Sequence, residues 1–383
     1  MSLLQPAETK GILSIRWDDA RKEMGPDAIS LSVADMDYRA PQPIVDAVTE
    51  RAAIGNYCYT YWDDEYYDSV ISWFKQRHDW IISKEEIVPV GRMVESLPAI
   101  LRECVGTGAN VVVPYPAYSP TPVGVRAAGC NVIPWGLKFD EVSGRYEFDF
   151  ESLPFLLADA KALVITNPHN PSGRVWTREE LTRIAQIAKS AGTLVISDEF
   201  HMDLTYPGHD FCPYLTCVDK GDPAISFTAP GKTFNVAGLE TANIIVRNPQ
   251  LREHVRKAID DAGCHNPRYF ARAVTVAGYG QCGPWLDELL SQVAQRLSTL
   301  ESTVASIPGV RVVKPEGTYL AWIDFRATGL DDEEIDQALK RQKLSLDPGI
   351  EFGNGGSGFM RINLAVPASI FDEAMRRLAK AFE

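Results

Sequence analysis

At 383 residues the chain is longer than one hydrophobic core usually serves, and two domains of unequal size are expected. Its 45% hydrophobic and 23% charged residues are those of an ordinary soluble globular protein. A formal net charge of -13, with no run of basic residues, argues against nucleic acid or an anionic membrane surface as the main partner.

From Met1 to Trp17 no basic stretch precedes an apolar run and a small-residue cleavage site, so no secretory leader is expected. No apolar segment is long enough to cross a membrane. The seven cysteines (Cys58, Cys104, Cys130, Cys212, Cys217, Cys264, Cys282) are odd in number and scattered, without a Cys-x-x-Cys pair. That disfavours a disulfide framework and a zinc site, and no metal is expected. A cytoplasmic location fits them, each thiol acting as a small buried hydrophobe.

Between about residues 86 and 245, short β-branched runs alternate with helical patterns. The runs Asn110 to Pro114, Asn131 to Trp135, Ala162 to Thr166, Thr193 to Ser197 and Ala224 to Phe227 are continuously apolar, as strands covered on both faces should be. Segments such as Thr177 to Ala191 have helical spacing, which together predicts repeated βα units around a mostly parallel sheet, an α/β architecture. After Gly283 and Pro284, the apolar positions Leu286, Leu289, Leu290, Val293, Leu297, Leu300 and Val304 predict a long helix joining two domains. Beyond it, Val310 to Val313, Thr318 to Phe325, Ser345 to Leu346 and Phe359 to Leu364 read as strands of a smaller α+β unit closed by a helix from Pro367. The expected division is a large domain over 46–285, with 1–45 and 286–383 forming a small one.

Ligands of such sheets gather at the carboxyl ends of the strands. Three chemically distinct groups fall there. Asn170 lies in the rigid turn Asn167-Pro-His-Asn-Pro-Ser-Gly173, Asp198 follows the run Val195-Ile196, and Lys232 lies in Thr228-Ala-Pro-Gly-Lys-Thr-Phe-Asn235. A pyridoxal phosphate site needs an amine for the Schiff base, a carboxylate for the pyridine nitrogen and a donor for the phenolic oxygen, and these residues supply them. Read singly, each has a plain alternative: a surface lysine, a loop, and for Asp198 a helix N-cap ahead of Glu199 to Leu204. His201, three residues past Asp198, either lines the same pocket or packs as a structural histidine. Gly91 and Arg92 precede an apolar helical run and offer amides to a phosphate. Tyr118 sits on a loop after a strand, placed to stack on the ring or to pack. Arg361, one charge inside an apolar strand, suits either bidentate capture of an α-carboxylate or an internal salt bridge.

With these residues in place, the chain resembles the aminotransferase class I/II superfamily. Within it the chain is similar to the cystathionine β-lyase-like branch, the MalY and PatB type, through Val33-Ala-Asp-Met-Asp-Tyr38, Ser197-Asp-Glu-Phe-His-Met-Asp203, Lys232-Thr-Phe-Asn235 and Gly317-Thr-Tyr-Leu-Ala-Trp-Ile-Asp324. The resemblance implies the pyridoxal-phosphate-dependent transferase fold of type I. It makes Lys232 the Schiff-base lysine and catalytic base, Asp198 the pyridinium partner, Asn170 the phenolate donor, Tyr118 the stacking and catalytic tyrosine, and Arg361 the carboxylate clamp. It adds Thr228 and His201 to the cofactor set, Asp35 to the substrate set, and amides of Gly91 and Arg92 on the phosphate. Tyr59, in Tyr57-Cys-Tyr-Thr-Tyr-Trp62, would reach the partner's phosphate in a homodimer with shared active sites. Two positions depart from the pattern: Gly231 where relatives often have serine, and Glu240 where aminotransferases commonly have a phosphate-binding arginine. Both remove phosphate donors and count against tight phosphate anchoring and ordinary transamination. Glu240 is expected to point away or to be paired.

The activity implied is carbon-sulfur β-elimination on an L-cysteine S-conjugate, giving a thiol, pyruvate and ammonia. The alternatives are transamination of an amino acid and a specialised reaction on a bulky S-cysteinyl conjugate, by C-S cleavage or by oxidative decarboxylation and deamination. A non-catalytic regulator is a more distant one.

Overall fold

The computed structural model describes residues 2–383. Seven strands form the central sheet in the spatial order Ile87–Val90, Ala242–Ile245, Ala224–Thr228, Leu194–Asp198, Ala160–Thr166, Asn110–Tyr115 and Asn131–Gly136. Ala242–Ile245 runs antiparallel to both neighbours, and the remaining pairs are parallel. Every residue of Leu194–Asp198, Ala224–Thr228 and Ala242–Ile245 is buried, the expectation for strands covered on both faces. The pleat sorts the side chains: Leu163 and Ile165 enter one apolar layer, Ala162 and Val164 the other.

The helix predicted from Thr177 spans Arg178–Ala191. Thr177 and Glu180 cap it reciprocally, and Gly192 ends it with φ +65°. The expected long helix is Gly283–Val304, burying Leu286, Leu289, Val293, Leu300 and Val304. A four-stranded antiparallel sheet follows, ordered Arg311–Val313, Leu320–Asp324, Phe359–Asn363 and Asp347–Pro348, and helix Ala368–Ala381 closes the chain.

Three details differ from the sequence reading. The strand expected at Ser345 to Leu346 is divided, because the chain changes partners within it. Leu344–Ser345 pairs in parallel with Ile29–Ser30, and Asp347–Pro348 pairs with Phe359–Asn363. Ile87–Val90, Ala242–Ile245 and the hairpin Lys138–Asp140 with Arg145–Glu147 are additional strands. Glu199 to Leu204 is not a helix: Met202 N–H donates to Glu199 O and Leu204 N–H to His201 O, three-residue turns without the four-residue ladder. No helix among the described residues is long and apolar enough to cross a membrane.

Candidate active site

Parallel registry aligns the strand ends that carry the chemistry. Thr166 is paired with Asp198, and Asp198 with Phe227, so Asn167, Asp198 and Thr228 reach one edge together. A cavity of about 300 Å³ opens at that edge, and Gly91, Arg92, Tyr118, Asn170, Asp198, His201, Lys232 and Arg361 all line it. Val33 lines it as well, so residues from Val33 to Arg361 in the sequence meet in one chamber.

Lys232 sits in the short helix Pro230–Thr233 and donates from Nζ to Ala34 O at 2.7 Å. It forms no ion pair among the described residues. Burial holds its ammonium below the usual lysine range and Arg361 adds to this, against the opposing pull of Asp35 and Asp198. The lysine turn is held from two sides. Thr233 Oγ1 donates to the buried Asp203, which also accepts from Trp73 Nε1. Asn235, at φ +57°, accepts from Met36 N–H and donates to the carbonyls of Met36 and Tyr38.

Asp198 is buried, and its Oδ1 accepts from Phe200 N–H at 3.2 Å. Burial raises its carboxyl to about 6, opposed by that amide and by Lys232. A cation beside it would restore the carboxylate, the demand a pyridinium nitrogen meets. His201 is buried on the same wall with Nδ1 unpartnered among the described residues. Burial, then Lys232 and Arg361, push it down to about 3, so it is neutral near pH 7. Burial likewise raises the Tyr118 phenol, with Asp198 adding to it.

Arg361 makes the internal salt bridge, the structural one of its two alternatives, and faces the cavity as well. Nε and Nη2 donate to Asp347 Oδ2 at 2.9 and 2.6 Å, and Nη1 donates to Asn170 Oδ1 at 2.9 Å while the side chain faces the cavity. Pinning the Asn170 oxygen fixes that amide's orientation, which leaves its NH₂ as the end available to an acceptor.

At the opposite wall, helix Met93–Cys104 begins after Gly91 and Arg92. Four charges interlock there. Arg92 Nη1 lies 3.3 Å from Glu240 Oε1 and its Nε donates to Glu95 Oε1 at 3.1 Å. Arg268 reaches Glu95 at 3.0 Å and Glu240 at 3.1 Å. Glu240 lines the cavity and is paired, as its chemistry requires. A Cβ on Gly91 would come within 3.3 Å of Arg268 Nε, so the guanidinium lies over that backbone. At Gly231 a Cβ would sit 3.3 Å from Ala237 Cα, a packing reason for glycine at that position.

Three expected residues are not on the cavity wall. Tyr59 is 92% exposed on the surface. Asp35 carries its backbone carbonyl against Arg16 Nη1 and Asn363 Nδ2. Thr228 is buried, with its hydroxyl unpartnered among the described residues. Conversely, Asp347, Glu95, Arg268 and Asp203 were not anticipated in these supporting roles; Arg268 in particular is brought to Glu95 and Glu240 only by the fold.

The sequence profile described as "Aminotransferase class I and II" matches residues 26–381. The chain belongs to that family. This member is 36% identical over 380 residues to "Cystathionine beta-lyase PatB" of Bacillus subtilis (strain 168), covering 98% of each chain. Its fold superposes on the pyridoxal-5'-phosphate-containing cystalysin of Treponema denticola with a TM-score of 0.93 and 33% identity, covering 99% of this chain and 98% of that one. The "PLP-bound C-S lyase" of Staphylococcus hominis gives a TM-score of 0.90 at 25% identity, over 99% and 97% of the two chains. This is a fold-type-I, pyridoxal-phosphate-dependent enzyme, and the cavity suits that cofactor: an orphaned buried imidazole nitrogen, a carboxyl short of partners and a buried amine face one chamber.

Proposed function

We propose that the enzyme is a carbon-sulfur β-lyase, cleaving an L-cysteine S-conjugate to a thiol, pyruvate and ammonia. The observation that carries this reading is Lys232, a buried amine held below its usual range in the same cavity as Asp198 and Arg361. The names borne by its relatives, a cystathionine β-lyase and a C-S lyase, favour elimination over transamination.

Bound in the cavity, pyridoxal phosphate supplies an electron sink for the substrate's α-carbon. Lys232 would hold the cofactor, and its amine would take the substrate's α-proton, a role that burial favours by lowering its ammonium pKa. Asp198 would pair with the ring nitrogen, and Asn170 would donate to the phenolic oxygen. Arg361 takes the α-carboxylate while remaining bonded to Asp347. Backbone amides at Gly91 and Arg92 would receive the phosphate, beside the guanidinium groups of Arg92 and Arg268 that Glu240 and Glu95 hold in place. Tyr59 of the partner subunit completes the phosphate site in a homodimer. With the α-proton removed, the carbon-sulfur bond breaks, the thiolate leaves, and the three-carbon remainder hydrolyses to pyruvate and ammonia.

The test is to incubate the holoenzyme with L-cystathionine and with S-methyl-L-cysteine, without an oxoacid, and to measure thiol, pyruvate and ammonia together. Equal yields of the three support β-elimination. Turnover that requires an added oxoacid would overturn it in favour of transamination. Replacing Lys232 by Ala abolishes turnover in either case.

A further inference from the structure

Away from the cavity, two cysteine sulfurs lie against each other. Cys212 and Cys217 bracket the turn Tyr214–Cys217, and their Sγ atoms are 3.5 Å apart. That is contact distance for unbonded sulfurs, well beyond a disulfide bond of about 2.05 Å. Cys212 is buried and Cys217 is half-buried, so Cys217 is the more exposed residue of the pair.

The surroundings divide the labour between them. Arg178 Nη1 lies 3.9 Å from Cys217 Sγ, and a guanidinium there favours a thiolate. The hydrogen bond from Cys212 lowers the Cys217 thiol, and the same hydrogen bond with burial raises Cys212. Reactive cysteines are low in pKa, accessible, and backed by a resolving thiol, which is this arrangement. The turn is also anchored: Asn167 Nδ2 donates to Cys212 O at 3.1 Å, and Tyr214 N–H donates to Glu199 Oε1 at 2.8 Å. These bonds hold the sulfurs in register.

We propose that Cys212 and Cys217 form a dithiol modification site that reacts with low-molecular-weight disulfides. The Cys217 thiolate attacks one sulfur of the small disulfide, whose S–S bond breaks and releases one thiolate to take up a proton. Cys212 then loses its proton and attacks Cys217 Sγ in the mixed disulfide, releasing the second thiol. Two cysteine thiols are oxidised to one disulfide, and one small disulfide is reduced to two thiols. The proposal uses no cavity residue and stands or falls apart from the β-lyase reading.

The test treats the holoenzyme with glutathione disulfide, blocks the remaining thiols and maps tryptic peptides. The fragment 190–220 contains Cys212 and Cys217 and no other cysteine. The expected result is that fragment lighter by two hydrogen atoms, restored by dithiothreitol. In Cys212→Ser, glutathione should instead accumulate on Cys217. The proposal is overturned if fragment 190–220 keeps both free thiols while the exposed Cys58 is modified, or if glutathione stays on Cys217 in the wild-type enzyme without ring closure. Should the serine variant fail to fold, the wild-type peptide map decides alone.

Discussion

Single residues set the chemistry of the cavity. Burial raises the Asp198 carboxyl against the pull of Lys232, and Asp198→Asn, nearly the same shape, removes the charge and leaves the packing. That variant should fold, bind cofactor more weakly and lose about 100-fold or more in kcat, measured by pyruvate release. Arg268 is the complementary case, a cation brought to the phosphate end from outside any motif. Arg268→Ala should weaken cofactor binding by about tenfold or more in an absorbance titration of the apoenzyme, because a charge-assisted contact is lost. Lys232, Asp198 and Asn170 were legible in the sequence because each follows a strand at the edge where such sheets bind ligands. Arg268 was not, since only folding brings it over Gly91, and Asp347 was equally hidden as the partner of Arg361.

Elements hold these residues in place, and their weak points are specific. Gly173 ends the Asn-Pro-His-Asn-Pro-Ser-Gly turn at φ +73°, and a Cβ there would approach Pro315 Cβ to 2.7 Å. Gly173→Ala should destabilise the protein by about 2 kcal/mol or more in urea denaturation, through both the left-handed backbone and the clash. At the neighbouring strand end, Glu199 is fully buried with Oε1 accepting from Ser197 Oγ and Tyr214 N–H. Burial raises its carboxyl to about 8. A group raised on folding favours the folded state below its unfolded value and loses that contribution as pH rises through the folded one. The stability of the wild type relative to Glu199→Gln should therefore fall steadily from about pH 4.5 to about pH 8. A difference independent of pH across that window would show that Glu199 is not titrating there. Element prediction worked where one period dominated, as in Arg178–Ala191. It missed Ala242–Ile245, because a short apolar run does not announce its direction, and it divided the chain too simply at residues 344–348, where the strand changes partners.

At the scale of the whole molecule, the cavity is assembled from both ends of the chain. Lys232 Nζ donates to the carbonyl of Ala34, Asn235 bonds the backbone of Met36 and Tyr38, and Asn363 Nδ2 donates to Val33 and Asp35. Exposed Tyr57, Tyr59 and Tyr61 together form an aromatic strip that suits contact with a second copy. Sedimentation should give a dimer, and Tyr59→Phe should weaken cofactor binding by about tenfold without changing the sedimentation coefficient, as loss of one phosphate contact across the interface predicts. A monomer that retains full cofactor affinity would remove Tyr59 from the site.

The pairing of Ile29–Ser30 with Leu344–Ser345 also has a bearing on how the protein is made. During synthesis the βα units can pack as they emerge, but the N-terminal segment has no strand to join until residue 345 is available, and Asn170 has no Arg361 to orient it. A ribosome-bound chain arrested before that point would carry its lysine on a largely formed sheet while the chamber around it stood unfinished. Translation of residues 345 to 361 would thus convert a folded body into one able to retain its cofactor.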